Sequence, residues 1–214
     1  MRRLLSFSLF LSACAHSSLT AAQRTDLHTP VEQLGELVYS GTVTPLGSAA
    51  PVFRYERRVL DVTDGTRVVT HVTFEGAEPV VLQRAKLDGQ GRLLAYDEVH
   101  AQRGEALHLD GGDVLVGPTL FEFVRMHLGA LRAGREVPLD FWARGTPYRF
   151  TLRLVDDVVE MRAASSFVAL AIAPIRMRVD TSGQVTGYHG RIPPLVDGRE
   201  VDADVTYAYA RPFR

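Results

Sequence analysis

The chain has 214 residues, 46% of them hydrophobic, which is enough for one sizeable core and is most simply a single domain. Its 24 basic residues against 25 acidic ones leave no basic footprint of the kind nucleic acid requires. A single cysteine, Cys14, excludes an internal disulfide and any cysteine-based metal or nucleophile site in the body of the chain.

Arg2 and Arg3 precede a short apolar run, Leu4 to Leu11, too short to span a bilayer. Leu11-Ser12-Ala13-Cys14 follows. This resembles the lipobox of bacterial lipoproteins. The resemblance implies that residues 1–13 are a signal peptide cleaved before Cys14. The Cys14 sulfur then carries a diacylglyceryl group, and the new amine a palmitate-type acyl chain. Two or more chains hold a protein durably on a membrane. Ala15 in place of an aspartate points to the outer membrane, facing the periplasm. Loss of residues 1–13 leaves 22 basic and 25 acidic side chains, a formal charge of −3. Residues 14–30, from the lipidated cysteine through a small, polar run, read as a flexible tether reaching roughly 20 Å. Residues 31–214 read as one β-rich domain.

From Leu37 to Val116 the pattern is an antiparallel meander. The strand-like runs are Glu36–Thr44, Val52–Val62, Thr66–Glu75, Pro79–Leu87, Arg92–Gln102, Ala106–Leu109 and Asp113–Val116. Turn-forming triplets such as Thr63-Asp64-Gly65 and Arg103-Gly104-Glu105 separate them. The one long helix is predicted within 118–134. Pro118 suits a first turn, Thr119 and Glu122 have capping-box spacing, and Gly134 stops the run. Apolar residues cover most of its circumference, leaving a polar stripe of Glu122, Arg125, Gly129 and Arg132. A helix so apolar should be covered on several sides. Strands resume at Val137–Ala143 and Tyr148–Val155, then a long run Phe167–Asp180, Gln184–His189 and Val201–Tyr209. The sum is a mainly β chain: an antiparallel open or half barrel of about ten to twelve strands packed on one long central helix.

That order of elements, with Tyr96-Asp97 after Asp88-Gly89, the ending Leu131-Arg132-Ala133-Gly134 and the late stretch Val185 to Pro194, resembles a group of bacterial envelope proteins of unassigned function. That group is similar to the LolA/LolB half-barrels. The resemblance implies an apolar concave face. No apolar protruding loop of the LolB kind stands out in the sequence.

No HExxH, P-loop, GxGxxG or GxSxG occurs, and the histidines lack metal-ligand spacing. No cofactor and no metal is expected. His127 falls within the apolar arc of the helix, Trp142 is the only tryptophan, and His189 sits between glycines and a double proline. These three are the candidate ligand-binding residues. Asp97, Glu98 and His100 lie on one strand, with Glu98 and His100 on a shared face. Two readings follow. One is a non-enzymatic, membrane-anchored binding or assembly module that holds a lipid or other apolar ligand, or an envelope protein partner. The other is an envelope enzyme using Asp97, Glu98 and His100, or His189. A solid core would favour a protein-binding scaffold.

Overall fold

The computed structural model describes residues 19–169 and 173–211, so Cys14 and the expected signal peptide, residues 1–13, lie outside the described residues. Twelve antiparallel strands form one sheet: β1 (Glu36–Pro45), β2 (Phe53–Asp61), β3 (Arg67–Glu75), β4 (Glu78–Leu87), β5 (Leu93–His100), β6 (Glu105–Gly112), β7 (Val137–Ala143), β8 (Thr146–Val155), β9 (Val158–Ala163), β10 (Ile175–Val179), β11 (Val185–Val196) and β12 (Arg199–Tyr209). Their order is β6-β5-β4-β3-β2-β1-β12-β11-β10-β9-β8-β7. Neighbouring strands are consecutive in the chain throughout, except at the centre, where β1 pairs with β12. The sheet is open, with β6 and β7 at its edges.

Helix α2 (Leu120–Arg132) connects those two edges and packs on the inner face. Leu120, Phe121, Val124, Leu128 and Leu131 are buried against Tyr39 of β1, Leu152 of β8, Met161 of β9 and Met177 of β10. Each fully buried side chain of this size contributes about 1.5–3 kcal/mol, so this face fixes the helix in place. Its opposite face is not covered: Met126 is 70% exposed. The expectation of cover on several sides therefore holds for one side only. Nor does the capping box form. Thr119 makes no cap bond to the helix, and its hydroxyl bonds to the backbone of Val116 instead. Glu122 turns away to Arg57 of β2.

Three expectations about elements are corrected. The segment read as a tether contains helix α1 (Ala21–Leu27), opened by a capping box between Thr20 and Gln23. Leu19, Leu27 and Leu34 pack on the outer face against Val72, Phe74, Leu82 and Val99, so the chain is fastened to the sheet from residue 19 onward. The run Phe167–Asp180 is not one strand: α3 (Ser166–Ala169) precedes β10, and residues 170–172 lie outside the described residues. Asp113–Val116 is no strand either, although Leu115 makes a single bridge to Phe141 of β7.

The far end of the β11–β12 hairpin folds across to the first half of the sheet. His100 Nε2 donates to the Pro193 carbonyl at 2.7 Å. Gln102 exchanges two bonds with the Leu195 backbone. Glu200 is clasped by Arg103, Arg144 and Arg191, which belong to three separate parts of the chain. Ile192 is buried beneath this crossing against Val43, Phe53 and Val81.

Candidate functional site

Two arrangements of side chains stand on the inner side of the sheet. The first is a buried row. Strand register aligns Tyr209, Tyr39, Arg57, His71, Gln83 and Glu98 across β12, β1, β2, β3, β4 and β5. Arg57 is fully buried and bonds to Glu122 and to the Pro118 carbonyl at the start of α2. Its guanidinium also approaches His71 Nε2 at 3.3 Å and lies over the Tyr39 ring. His71 Nδ1 is bonded to the Tyr55 hydroxyl. Burial, and then the adjacent Arg57 charge, push His71 well below the usual histidine range, so it is neutral at pH 7. Burial likewise pushes the Tyr39 and Tyr55 hydroxyls well up, so neither ionises. Further along the row, Gln83 donates to Tyr96 and Glu98, and Tyr96 donates to Glu98 at 2.6 Å. The row lies under the N-terminus of α2 and joins helix to sheet.

The second arrangement is the seam where the segment after β6 bridges to β7. Leu115 N donates to the Asp140 carbonyl at 2.8 Å, and Trp142 N donates to the Leu115 carbonyl at 2.7 Å. Beside this single bridge the edges part and leave an open cleft of about 840 Å³. Its walls are Leu93, Leu94, Val114 and Leu139, and α2 contributes Phe123 and Met126. Arg92 and Arg149 stand among the lining residues, paired with Asp88 and Asp140. The volume lies within the usual range for small-molecule sites, which are mostly apolar with a few polar groups.

The residues singled out from sequence fall in different places. His127 packs its ring on Phe123, with centroids 4.3 Å apart, and so backs one wall of the cleft. Trp142 reaches from β7 to the inner face of β3–β5 and packs in a cluster with Tyr96, Leu93 and Val114. The last two also line the cleft. Its buried indole Nε1 has no hydrogen-bond partner among the described residues. His189 is on the outer face, bonded to Asp204 at 2.8 Å. Asp97 pairs with His108 on the outer face, Glu98 with Tyr96 and Gln83 on the inner, and His100 holds Pro193. Each of these four chemistry-bearing residues thus has its own partner. Asp97 and Glu98 both line a hollow of about 360 Å³ beside His108, but they sit on opposite faces of β5 and each is bonded elsewhere, Asp97 to His108 and Glu98 to Tyr96. Among the described residues no three His, Cys, Asp or Glu side chains gather as a metal ion would need. No helix among them is long and apolar enough to cross a membrane.

Sequence reasoning did not bring Arg57, His71 and Glu122 together, because their meeting depends on strand register and on where α2 lands. It also passed over Met126, whose exposure appears only once the helix has chosen its buried face. No family model, curated protein or solved structure matches the chain.

Proposed function

We propose that this chain is a membrane-anchored envelope lipoprotein, held through Cys14 at the outer membrane, that works as a non-enzymatic binding module for an acyl-chain ligand. The sheet is read as a half barrel curled around α2. The ligand site is the seam cleft rather than the barrel interior, which α2 and the crossing hairpin occupy. The observation that carries this reading is Met126, a flexible apolar side chain exposed on the helix in a cleft whose apolar lining is rimmed by Asp88, Arg92, Asp113, Asp140 and Arg149. Covering it and its neighbours with acyl carbons returns about 0.8 kcal/mol per buried CH₂. The separate partners of Asp97, Glu98, His100 and His189 weigh against an enzyme.

The test uses the full chain in a zwitterionic detergent. Palmitate should shift the Trp142 emission, since Leu93 and Val114 touch both cleft and indole, and should raise the melting temperature by mass action. Met126→Asp should abolish both responses while leaving the ligand-free melting temperature in place. A wild type that ignores palmitate and phospholipids alike, or a Met126→Asp variant that responds as the wild type does, overturns the reading in favour of a protein-binding scaffold.

A further inference from the structure

The geometry points to a binding site for a phosphate-type oxyanion on the outer face of β8, β9 and β10, formed by Arg153, Arg162 and Arg176 around Glu160. It is independent of the seam cleft and of the acyl-ligand reading. Register places Arg153, Glu160 and Arg176 directly side by side on the three strands, with Arg162 two residues along β9 on the same face. Arg153 and Arg162 each give Glu160 Oε2 two bonds, through Nε and Nη2, at 2.7–3.0 Å. Arg176 gives Oε1 one, at 3.3 Å.

Glu160 is buried, while the three arginine side chains are 41%, 47% and 51% exposed. The carboxylate is therefore a hub beneath three guanidinium groups. Because Arg153 and Arg162 spend their Nε–Nη2 edges on the hub, their Nη1 groups remain for a ligand, as do both terminal nitrogens of Arg176. Each guanidinium carries five donors, so ten of the fifteen lie beyond the bonds made to Glu160.

Charge makes the same point. One carboxylate against three guanidinium groups leaves +2 on one small patch, matching a phosphomonoester dianion. Arg178, two residues from Arg176 on the same face, extends the positive field. A surface ion pair alone is worth little, so a simple sheet-stabilising role needs one arginine per carboxylate and not three. The cations are arginines, whose fork fits phosphate oxygens bidentately. A phosphate group can reach this face as free phosphate or as the headgroup of a phospholipid.

The test follows the arginine Nε–H resonances of the full chain in zwitterionic micelles. Inorganic phosphate should move those of Arg153, Arg162 and Arg176 further than sodium chloride of equal ionic strength. In a second arm, phosphatidylglycerol is added to the micelle, with phosphatidylcholine as the control. A response to phosphate identifies a free-anion site. A response to phosphatidylglycerol alone identifies a headgroup site. Either supports the assignment, provided that Arg176→Gln weakens binding roughly tenfold. Arg162→Lys keeps the charge but loses the fork, and should weaken binding several-fold. If neither anion exceeds its control, or if both variants bind as tightly as the wild type, the cluster is a surface ion-pair network only and the site does not exist.

Discussion

Arg57 on β2 and Glu122 on α2, 65 residues apart, are joined by an ion pair whose arginine side chain is 1% exposed and whose glutamate side chain is 28% exposed. The helix is thus bolted to the sheet at its N-terminal turn by a charge that water cannot reach. Removing one member of such a pair costs about 3–5 kcal/mol, because the other is left uncompensated. Glu122→Leu should lower the melting temperature by roughly 6–20 °C for a domain of this size. The double variant Arg57→Met/Glu122→Leu should recover part of that loss. Thermal unfolding of the three proteins checks this, and a double variant less stable than Glu122→Leu would contradict it.

His71 gives the fold an acid sensitivity of definite sign. Its pKa in the folded state is depressed by burial and then by Arg57, while in the unfolded chain it returns to about 6.5. Below pH 6.5 the unfolded chain gains a proton that the folded chain refuses. Stability is therefore full above pH 6.5 and falls as the pH drops, by at most about 1.4 kcal/mol per pH unit for this one site. His100, lowered chiefly by its own burial, adds a contribution of the same sign. His71→Gln should flatten the curve of melting temperature against pH between 6.5 and 5. An unchanged slope would mean that His71 is not held neutral.

Helix α2 should tolerate charge on one face and not on the other. Leu128 is buried against the sheet, so Leu128→Asp places a carboxylate in the core at a cost of several kcal/mol. Met126→Asp, on the exposed face, should stay within about 0.5 kcal/mol of wild type. Denaturant midpoints separate the two. Equal midpoints would place the helix on the surface.

Gly183 closes the β10–β11 turn at φ +88°, and a Cβ there would come within 2.8 Å of Leu128 Cδ2. Gly183→Ala should cost about 1–2 kcal/mol from the left-handed backbone alone. For a domain of this size that lowers the melting temperature by roughly 2–8 °C. No loss of stability would imply that the turn relaxes freely.

The proposed anchoring rests on Leu-Ser-Ala-Cys behind a basic, apolar run. Cys14→Ser should leave the protein unprocessed and unacylated. Membrane fractionation and mass spectrometry read this directly, and a variant still acylated like the wild type contradicts it.

What was legible in the sequence was what local chemistry decides. The helix predicted within 118–134 runs Leu120–Arg132, because its apolar period and its Gly134 stop are local signals. Most hairpins carried glycine turns. β9 went unseen because its turn is built by Asp156 at φ 56°, with no glycine to mark it. α1 did carry its own sign, the Thr20-x-x-Gln23 spacing of a capping box, inside a stretch whose small polar composition suggested a tether. Glu122 had the right spacing to cap α2 and lost that role to a partner 65 residues away. Neither the Arg57–His71 row nor the Glu160 cluster exists in one dimension, since cross-strand neighbours are defined only by register.

The central position of the β1–β12 pair governs how the chain acquires its shape. Every other neighbouring pair joins consecutive strands, so each six-stranded meander closes short loops, at small entropic cost. The remaining pair sets Tyr39 against Tyr209 and closes a loop about as long as the domain itself. The two meanders are free to form early and separately. Their union needs the last strand, so on contact-order grounds this pairing should set the pace of folding, and a variant that weakens it, such as Tyr209→Ala, should slow refolding.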